Sequence, residues 1–433
     1  MKILSTKKYP LTKIIYIVRK RQSKKIAVDD TVIEIIKYVR KYKDRALFAL
    51  TKKFDGASFK KLQVSKQEIN RAYLSVDKEV VEAIKNAKAN IEKFHKNNIK
   101  KEIPITTVKG VKIWREFRPI EKVGLYVPGG KAAYPSTVLM LAVPARIAGC
   151  KEIILCVPPN KDGNAPSAVL VAADICGVSK IYKVGGAQSI AAMAYGTESI
   201  PKVSKIFGPG NNYVSTAKML VYGEVSIDMP AGPSEILIIA DKTANPDWVA
   251  ADLLSQLEHG EDSQAILVTL SQTFAKQVQK KVLEQFKILS RKKIIKKSLL
   301  NSFIIVVDNQ NQACDLINEY APEHLEIIVK NEREILDKIN NAGSVFLGKY
   351  ASEPLGDYAT GSNHTLPTSG YAKMFSALSA ESFGKKMQIQ KVSTTGIKSL
   401  KKTAETLALA EGLDAHRNAI SIRSKKNHPD HFG

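Results

Sequence analysis

The residue types best able to move protons or hold a metal fall in a few short stretches of this 433-residue chain. Ser255–Gly260 reads SQLEHG and places Gln256 three residues before His259. On a helix those two side chains share a face and can point at one object. Taken alone, a Gln and a His at a helix end read as surface polar groups. Glu323 and His324, after Pro322, put an acid beside a base at the start of an apolar run. Adjacent side chains on a strand diverge, so such a pair would serve two different protons. His364 lies in the turn-rich stretch LGDYATGSNHTLPT, which also carries Asp357, and Glu411 and His416 lie in EGLDAH. Zinc takes imidazole nitrogens and carboxylate or amide oxygens. No compact spacing such as HExxH occurs, so a metal site would have to be assembled from distant segments. His95, on a lysine-rich helix, and His428 and His431, in the tail, read as solvated.

Three apolar runs end in Gly-rich turns: Val127-Pro-Gly-Gly130, Val184-Gly-Gly-Ala-Gln188 and Phe207-Gly-Pro-Gly-Asn-Asn212. None completes GxGxxG, because Tyr213 stands where the third Gly would fall. Such turns let backbone approach a ligand at the carboxyl ends of parallel strands, and equally serve as tight strand-to-helix connections.

The elements that must position these residues are legible as patterns. Asn245 is placed to cap the SQLEHG helix, Pro246 to sit in its first turn and Gly260 to stop it, with Ala250, Leu253, Leu254 and Leu257 as the anchoring side. Val28–Phe54 and Ser65–Asn97 read as two long helices, the second with Ile84, Ala87 and Ile91 at helical spacing. From residue 120 to 240, strand, Gly turn and helix repeat four times, and a second α/β series runs from Ser234 to Leu347. The expected fold is α/β, with two Rossmann-like parallel-sheet domains over 111–235 and 236–370. A mainly helical N-terminal region covers 1–110, and a small helical tail covers 371–433, fraying over Ser424–Gly433.

Hydrophobic content of 44% with 25% charged residues is that of a soluble globular protein, and no run of about 18 apolar residues suggests a membrane span. The N-terminus lacks the apolar stretch of a secretory signal, and Cys150, Cys156, Cys176 and Cys314 show no CxxC spacing. Buried free thiols in a reducing cytoplasm are expected. The net charge of +24 raises a competing class, a basic nucleic-acid-binding protein on an enzyme-like scaffold. Residues 1–110 hold 28 Lys and Arg against 11 Asp and Glu, and a second basic knot spans Lys276–Lys297. Lysines there alternate with Asn, Ile and Glu, without aromatic interleaving, which reads as solvated helix faces rather than a nucleic-acid surface.

Taken in order, VGLYVPGG (Val123–Gly130), VGGAQSIAAMAYGTES (Val184–Ser199), KIFGPGNNYV (Lys205–Val214), IDMPAGPSE (Ile227–Glu235), DLLSQLEHGEDSQ (Asp252–Gln264), APEHLE (Ala321–Glu326), GDYATGSNHTLPT (Gly356–Thr368) and EGLDAH (Glu411–His416) resemble the histidinol dehydrogenase family. The resemblance runs from about Lys43 to about Arg423. It implies oxidation of L-histidinol to L-histidine through histidinal, with two NAD in succession, at the end of histidine biosynthesis. It implies one zinc per subunit on Gln256, His259, Asp357 and His416, and an acid–base pair at Glu323 and His324. Substrate contacts are implied at Ser234, His364 and Glu411, alongside His324 and the four metal ligands. NAD contacts are implied at Tyr126, Gln188 and Asn211, one in each Gly-rich turn. An intertwined homodimer is implied too, its exchanged tail bringing His416 to the partner's site; nucleic acid and membrane are not expected partners. The chain departs from the family pattern at Leu257, where Ala is usual, and near Lys43-Asp44, where a turn-like spot lacks its Gly.

Overall fold

Short runs of β-branched residues that are apolar on both sides can be buried only if both faces of their sheet are covered. In the computed structural model they form two parallel sheets flanked by helices. The residues described are 1–20, 29–129, 133–230 and 232–424. Gly130, His428, His431 and the fraying expected beyond residue 424 lie outside them. The chain divides into two units, Met1–Asn98 with Ile120–Phe383, and Ile99–Pro119 with Gly384–Gly433.

In the first unit, the chain steps outward from Lys122–Tyr126 to Glu152–Val157 and Lys180–Lys183. It then returns to lay Lys205–Phe207 on the other side of Lys122–Tyr126, and Ser226–Ile227 completes five strands. That reversal opens a crevice at the carboxyl ends of the two central strands. The second sheet repeats the plan. Glu235–Ala240, Gln264–Thr269 and Phe303–Val306 run outward, and His324–Ile328 then Ser344–Leu347 fill the other side. Its faces separate by the two-residue period of a strand: Ile236, Ile238, Ala265 and Leu267 pack on one side, Leu237, Ile239, Ile266 and Val268 on the other. An unanticipated sixth strand, Lys2–Ser5, pairs in parallel with Phe303–Val306 at the sheet's edge. Four residues are too few to show a period, so only the partner strand reveals it.

The second unit is antiparallel. Ile105–Val108, Val111–Pro119 and Gly384–Val392 form three strands, followed by helices Thr394–Ala410 and Asp414–Arg423. Gly110, at φ 88°, turns the first two strands, and a Cβ there would lie 2.5 Å from the Gly396 nitrogen, so only glycine fits. The strand Gly384–Val392 was not expected ahead of the helical tail, because its pairing partner lies far back in the chain.

Two of the expected long helices are interrupted. Ser65–Asn97 divides into Lys66–Ser75 and Lys78–His95, with Val76 extended between them. Ser65 and Glu68 form a capping box on the first, and Asp77 occupies the N-cap position of the second. Asp29–Asp55 is broken at Lys43, whose φ of 49° and ψ of −127° suit glycine, at the very place where a Gly is missing from the sequence pattern. Asp44 clamps the bend by accepting from Ser199 and donating its backbone N–H to Glu198 Oε2 at 3.0 Å. Lys43→Gly is therefore expected to stabilise the chain by about 1 kcal/mol, strain relief exceeding the entropy that glycine adds to the unfolded state. Denaturant unfolding checks it; a lower midpoint for the variant would refute the strain.

His95 corrects the reading that it is solvated: it is 0% exposed. It follows Ile84 and Ile91 on the buried stripe of its helix, four residues past Ile91, so position overrides the lysine-rich composition around it. Burial lowers its pKa to about 4 from the ordinary 6.5. The folded pKa lies below the unfolded one, so the unfolded chain takes up a proton first. Stability is lost as pH falls from about 6.5 toward 4, by up to roughly 3 kcal/mol. His95→Leu is expected to remove that part of the acid slope in urea melts at pH 7 and pH 4.5; identical slopes would rule it out. The lysines Lys37, Lys41, Lys52 and Lys53 do lie on exposed faces, as do Lys276, Lys280, Lys292 and Lys293. All four cysteines are buried and unpaired. Among the described residues no helix is long and apolar enough to cross a membrane.

Candidate active site

Asn245 caps the SQLEHG helix by accepting from the Asp247 N–H at 2.9 Å, with Pro246 in the first turn. The helix spans Pro246–Leu257 and closes two residues sooner than expected, so His259 sits in the turn just beyond it. The pair still converges. His259 Nδ1 lies 3.3 Å from both the carbonyl oxygen and the side-chain Nε2 of Gln256. That engages one ring nitrogen locally and leaves Nε2 for another partner.

Asp357 belongs not to a loop but to a short helix, Glu353–Tyr358, begun by Ser352 and Pro354. His259, Glu353 and Asp357 each offer one ligand atom, and these lie within 4.8 Å of one another. Glu353 was missed in the sequence. Its signal was the spacing of four to Asp357 after a Ser-Glu-Pro helix start, which puts both carboxylates on one face. Gln256 Oε1 is buried with no hydrogen-bond partner among the described residues. A buried bare amide oxygen beside an imidazole and two carboxylates fits a zinc donor set. Burial opposes ionisation of Asp357, but the His324 ring 3.6 Å away and the nearby His364 and His259 hold it well below the usual carboxylate range. Burial, then the Asp357 charge, raise Glu353 to about 8; its Oε2 accepts from Ser255 Oγ at 3.2 Å.

Glu323 and His324 stand at the amino end of an inner strand of the six-stranded sheet, not at its edge. Glu235 on the neighbouring strand orders both with its backbone. Its N–H donates to Glu323 Oε2 at 2.8 Å, and its carbonyl lies 3.2 Å from His324 Nδ1. The Glu235 side chain is itself held by the Tyr320 hydroxyl at 3.1 Å and the Ser369 N–H at 2.9 Å. With Nδ1 donating to that carbonyl, the neutral ring carries its lone pair on Nε2, which has no hydrogen-bond partner among the described residues and faces Asp357 Oδ1 at 3.6 Å. The two side chains diverge less than strand geometry suggests, since His324 Nδ1 and Glu323 Oε2 are 3.7 Å apart. Burial raises Glu323 to about 8. For His324 burial acts downward, and the Glu323 and Asp357 carboxylates overcome it, so the metal-free ring is shifted up.

His364 Nδ1 lies 3.2 Å from the Asp357 carbonyl, and its Nε2 3.3 Å from Thr137 Oγ1. Ser234, Glu323 and His364 line a cavity of about 40 Å3 with Gly208, Pro209, Asp228 and Met229. A larger one, about 340 Å3, shares Asp228 and Met229 and extends past Lys205 and Phe375. The Gly-rich turns meet at the crevice of the five-stranded sheet. The Tyr126 hydroxyl accepts from the Gly186 N–H at 3.2 Å, and Gln188 is buried in the first turn of the next helix. A Cβ on Gly208 would lie 2.1 Å from the Tyr126 carbonyl oxygen. Asn211 caps its helix by accepting from the Val214 N–H at 3.1 Å. Glu411 and His416 belong to the second unit, where both are exposed, at the end of Thr394–Ala410 and on Asp414–Arg423.

Two parallel α/β sheets, a buried acid–base pair beside a metal-ready cluster, and glycine turns at a topological switch point define an α/β enzyme with a ligand crevice. The family model for histidinol dehydrogenase matches residues 18–424. The histidinol dehydrogenase of Methanocaldococcus jannaschii is 51% identical over 397 residues, covering 91% of this chain and 92% of that protein. The one from Bacteroides fragilis is 52% identical over 395 residues, with coverage of 91% and 92%. The crystal structure of histidinol dehydrogenase from Elizabethkingia anophelis superposes with a TM-score of 0.95 at 47% identity, over 98% of each chain. The chain belongs to the histidinol dehydrogenase family, which makes it an NAD-dependent oxidoreductase.

Proposed function

We propose that this chain oxidises L-histidinol to L-histidine through L-histidinal, at the end of histidine biosynthesis, using two NAD and one zinc per subunit. The observation that carries the reading is His324: buried, its Nδ1 pinned by the Glu235 carbonyl, its Nε2 unpartnered beside Asp357. A base so held suits an alcohol that must lose its hydroxyl proton as its carbon gives up hydride.

In the first step His324 Nε2 takes the hydroxyl proton and the substrate carbon releases hydride to the coenzyme, leaving the aldehyde. In the second, once His324 has released its proton to solvent, Glu323 takes a proton from water as the water oxygen bonds to the aldehyde carbon, leaving the hydrate as its anion. His324 then takes a hydroxyl proton from the hydrate while a second hydride leaves, giving the carboxylate. NAD supplies the hydride acceptor both times, at the crevice where Tyr126, Gln188 and Asn211 would touch it. Zinc, when bound, supplies a fixed positive charge that orients the substrate's imidazole and amine. Gln256, His259 and Asp357 would hold it, with His416 of a second chain. Ser234, His364 and Glu411 would contact substrate. Exposure of Glu411 and His416 supports a homodimer in which an exchanged tail, within 371–433, completes the neighbouring site. The buried thiols support a cytoplasmic setting. The helical region 1–110 and the α/β spans 111–235 and 236–370 are the remaining domains in this reading.

Adding L-histidinol to zinc-loaded protein with NAD is expected to give two reduced coenzymes per substrate, to stop on chelation and to resume with zinc. Folded, metal-loaded protein giving no reduced coenzyme would end the proposal. His259→Ala is expected to weaken zinc binding by about 100-fold or more, read by metal content after dialysis against a graded chelator. Full retention of zinc would remove His259 from the ligand set.

A further inference from the structure

Behind the Gly208–Gly210 turn lies a charged pair that none of the roles above uses. Lys218, on the inner side of the helix Asn212–Val221, is 2% exposed. Its ammonium donates to the Gly208 carbonyl at 3.0 Å and the Met229 carbonyl at 3.3 Å, and its third contact is the Asp228 carboxylate. Asp228 Oδ2 accepts from the Gly208 N–H at 2.8 Å, and Oδ1 accepts from the Met229 N–H at 2.7 Å. The pair thus fills both backbone hydrogen-bonding positions of Gly208, at its N–H and its carbonyl. That residue has φ 123°, and a Cβ on it would strike the Tyr126 carbonyl.

Two buried charges are a costly way to hold a fold together, because desolvation consumes most of their attraction and apolar side chains of like volume often serve as well. Apolar groups could not occupy the N–H and carbonyl of Gly208, so what the pair specifies is the shape of the turn. Its location matters for the reaction. Gly208, Pro209, Asp228 and Met229 line the small cavity together with Glu323 and His364. A change in the pair would move the coenzyme-side turn against the acid–base centre.

We propose that Lys218 and Asp228 are positioning residues that set the Gly208–Gly210 turn, and with it the coenzyme, relative to Glu323 and His324. The inference rests on the reading that NAD occupies the crevice of the Gly-rich turns. Lys218→Met, Asp228→Asn and the double variant separate positioning from stability. Each single change leaves a buried partner unpaired and should lower the melting temperature, whereas the double change should recover most of it. NAD binding by calorimetry on zinc-loaded protein is expected to stay about tenfold or more weaker in the double variant. The KM for NAD should rise with it, while the KM for L-histidinol stays within about twofold. Recovery of NAD affinity together with the melting temperature would show a purely structural pair and overturn the proposal. Should the double variant not fold, Asp228→Asn alone decides: its single amide oxygen cannot accept from the Gly208 and Met229 N–H groups as the two carboxylate oxygens do, so the turn loses a contact, and unchanged NAD affinity in the folded single variant overturns the proposal too. Tyr126→Ala is the control. If it leaves NAD affinity unaltered, the coenzyme reading falls and this inference with it; if only Tyr126→Ala weakens NAD, positioning by the pair alone is refuted.

Discussion

His324→Asn is expected to lower turnover of L-histidinol by about 10³-fold or more, through loss of proton transfer at one atom. The Asn amide can still donate to the Glu235 carbonyl, which His324 Nδ1 now meets at 3.2 Å, so the backbone there keeps its partner. Nothing on the shorter side chain replaces Nε2, the atom that faces Asp357 at 3.6 Å. Both oxidations pass a proton to that atom, so both should fall, with L-histidinol and L-histidinal as separate substrates. Zinc content and melting temperature should hold, which separates lost chemistry from lost folding. A variant that keeps more than a tenth of the wild-type rate on either substrate would remove His324 as the base.

Glu323→Gln should divide the two steps. The amide oxygen can keep the hydrogen bond that Glu323 Oε2 accepts from the Glu235 N–H at 2.8 Å, but it cannot take a proton from water. Oxidation of L-histidinal is expected to fall about 10²–10³-fold, and the alcohol step by less than tenfold. The first turnover should then yield one reduced coenzyme per L-histidinol, with the aldehyde step lagging. Burial raises Glu323 to about 8, so in the unaltered chain its base form grows as pH rises through that value, and the aldehyde step should quicken with it. Equal loss of both steps in the variant would refute this division of labour.

Much of this site could be seen in the chain itself. The acid–base pair is contiguous, and the Gln256 and His259 spacing needs only one helix end to converge. The Gly-rich turns were visible as strand endings, although their meeting at one crevice was not. Positions decided by a distant neighbour were harder. Glu353 goes unremarked in the sequence, and the helix Glu353–Tyr358 sets it facing His259 and Asp357. Glu235 lies second in the strand expected from Ser234, yet its backbone orders both members of the pair. His95 was misread because composition outweighed its place on the Ile84 and Ile91 stripe.

What the sequence determined alone is what depends on neighbours within a few residues: capped helices, two parallel α/β series, the pairing of Glu323 with His324, and the family. Local pattern suffices there because helix and strand periods are set by the backbone. The tertiary structure alone decided which strands lie side by side, that Lys2–Ser5 is one of them, and that Glu323 and His324 open an inner strand. It also decided that Lys218 and Asp228 meet beneath the Gly208 turn. Those outcomes follow from sheet order and burial, which join residues far apart in the chain, where no local period carries a signal.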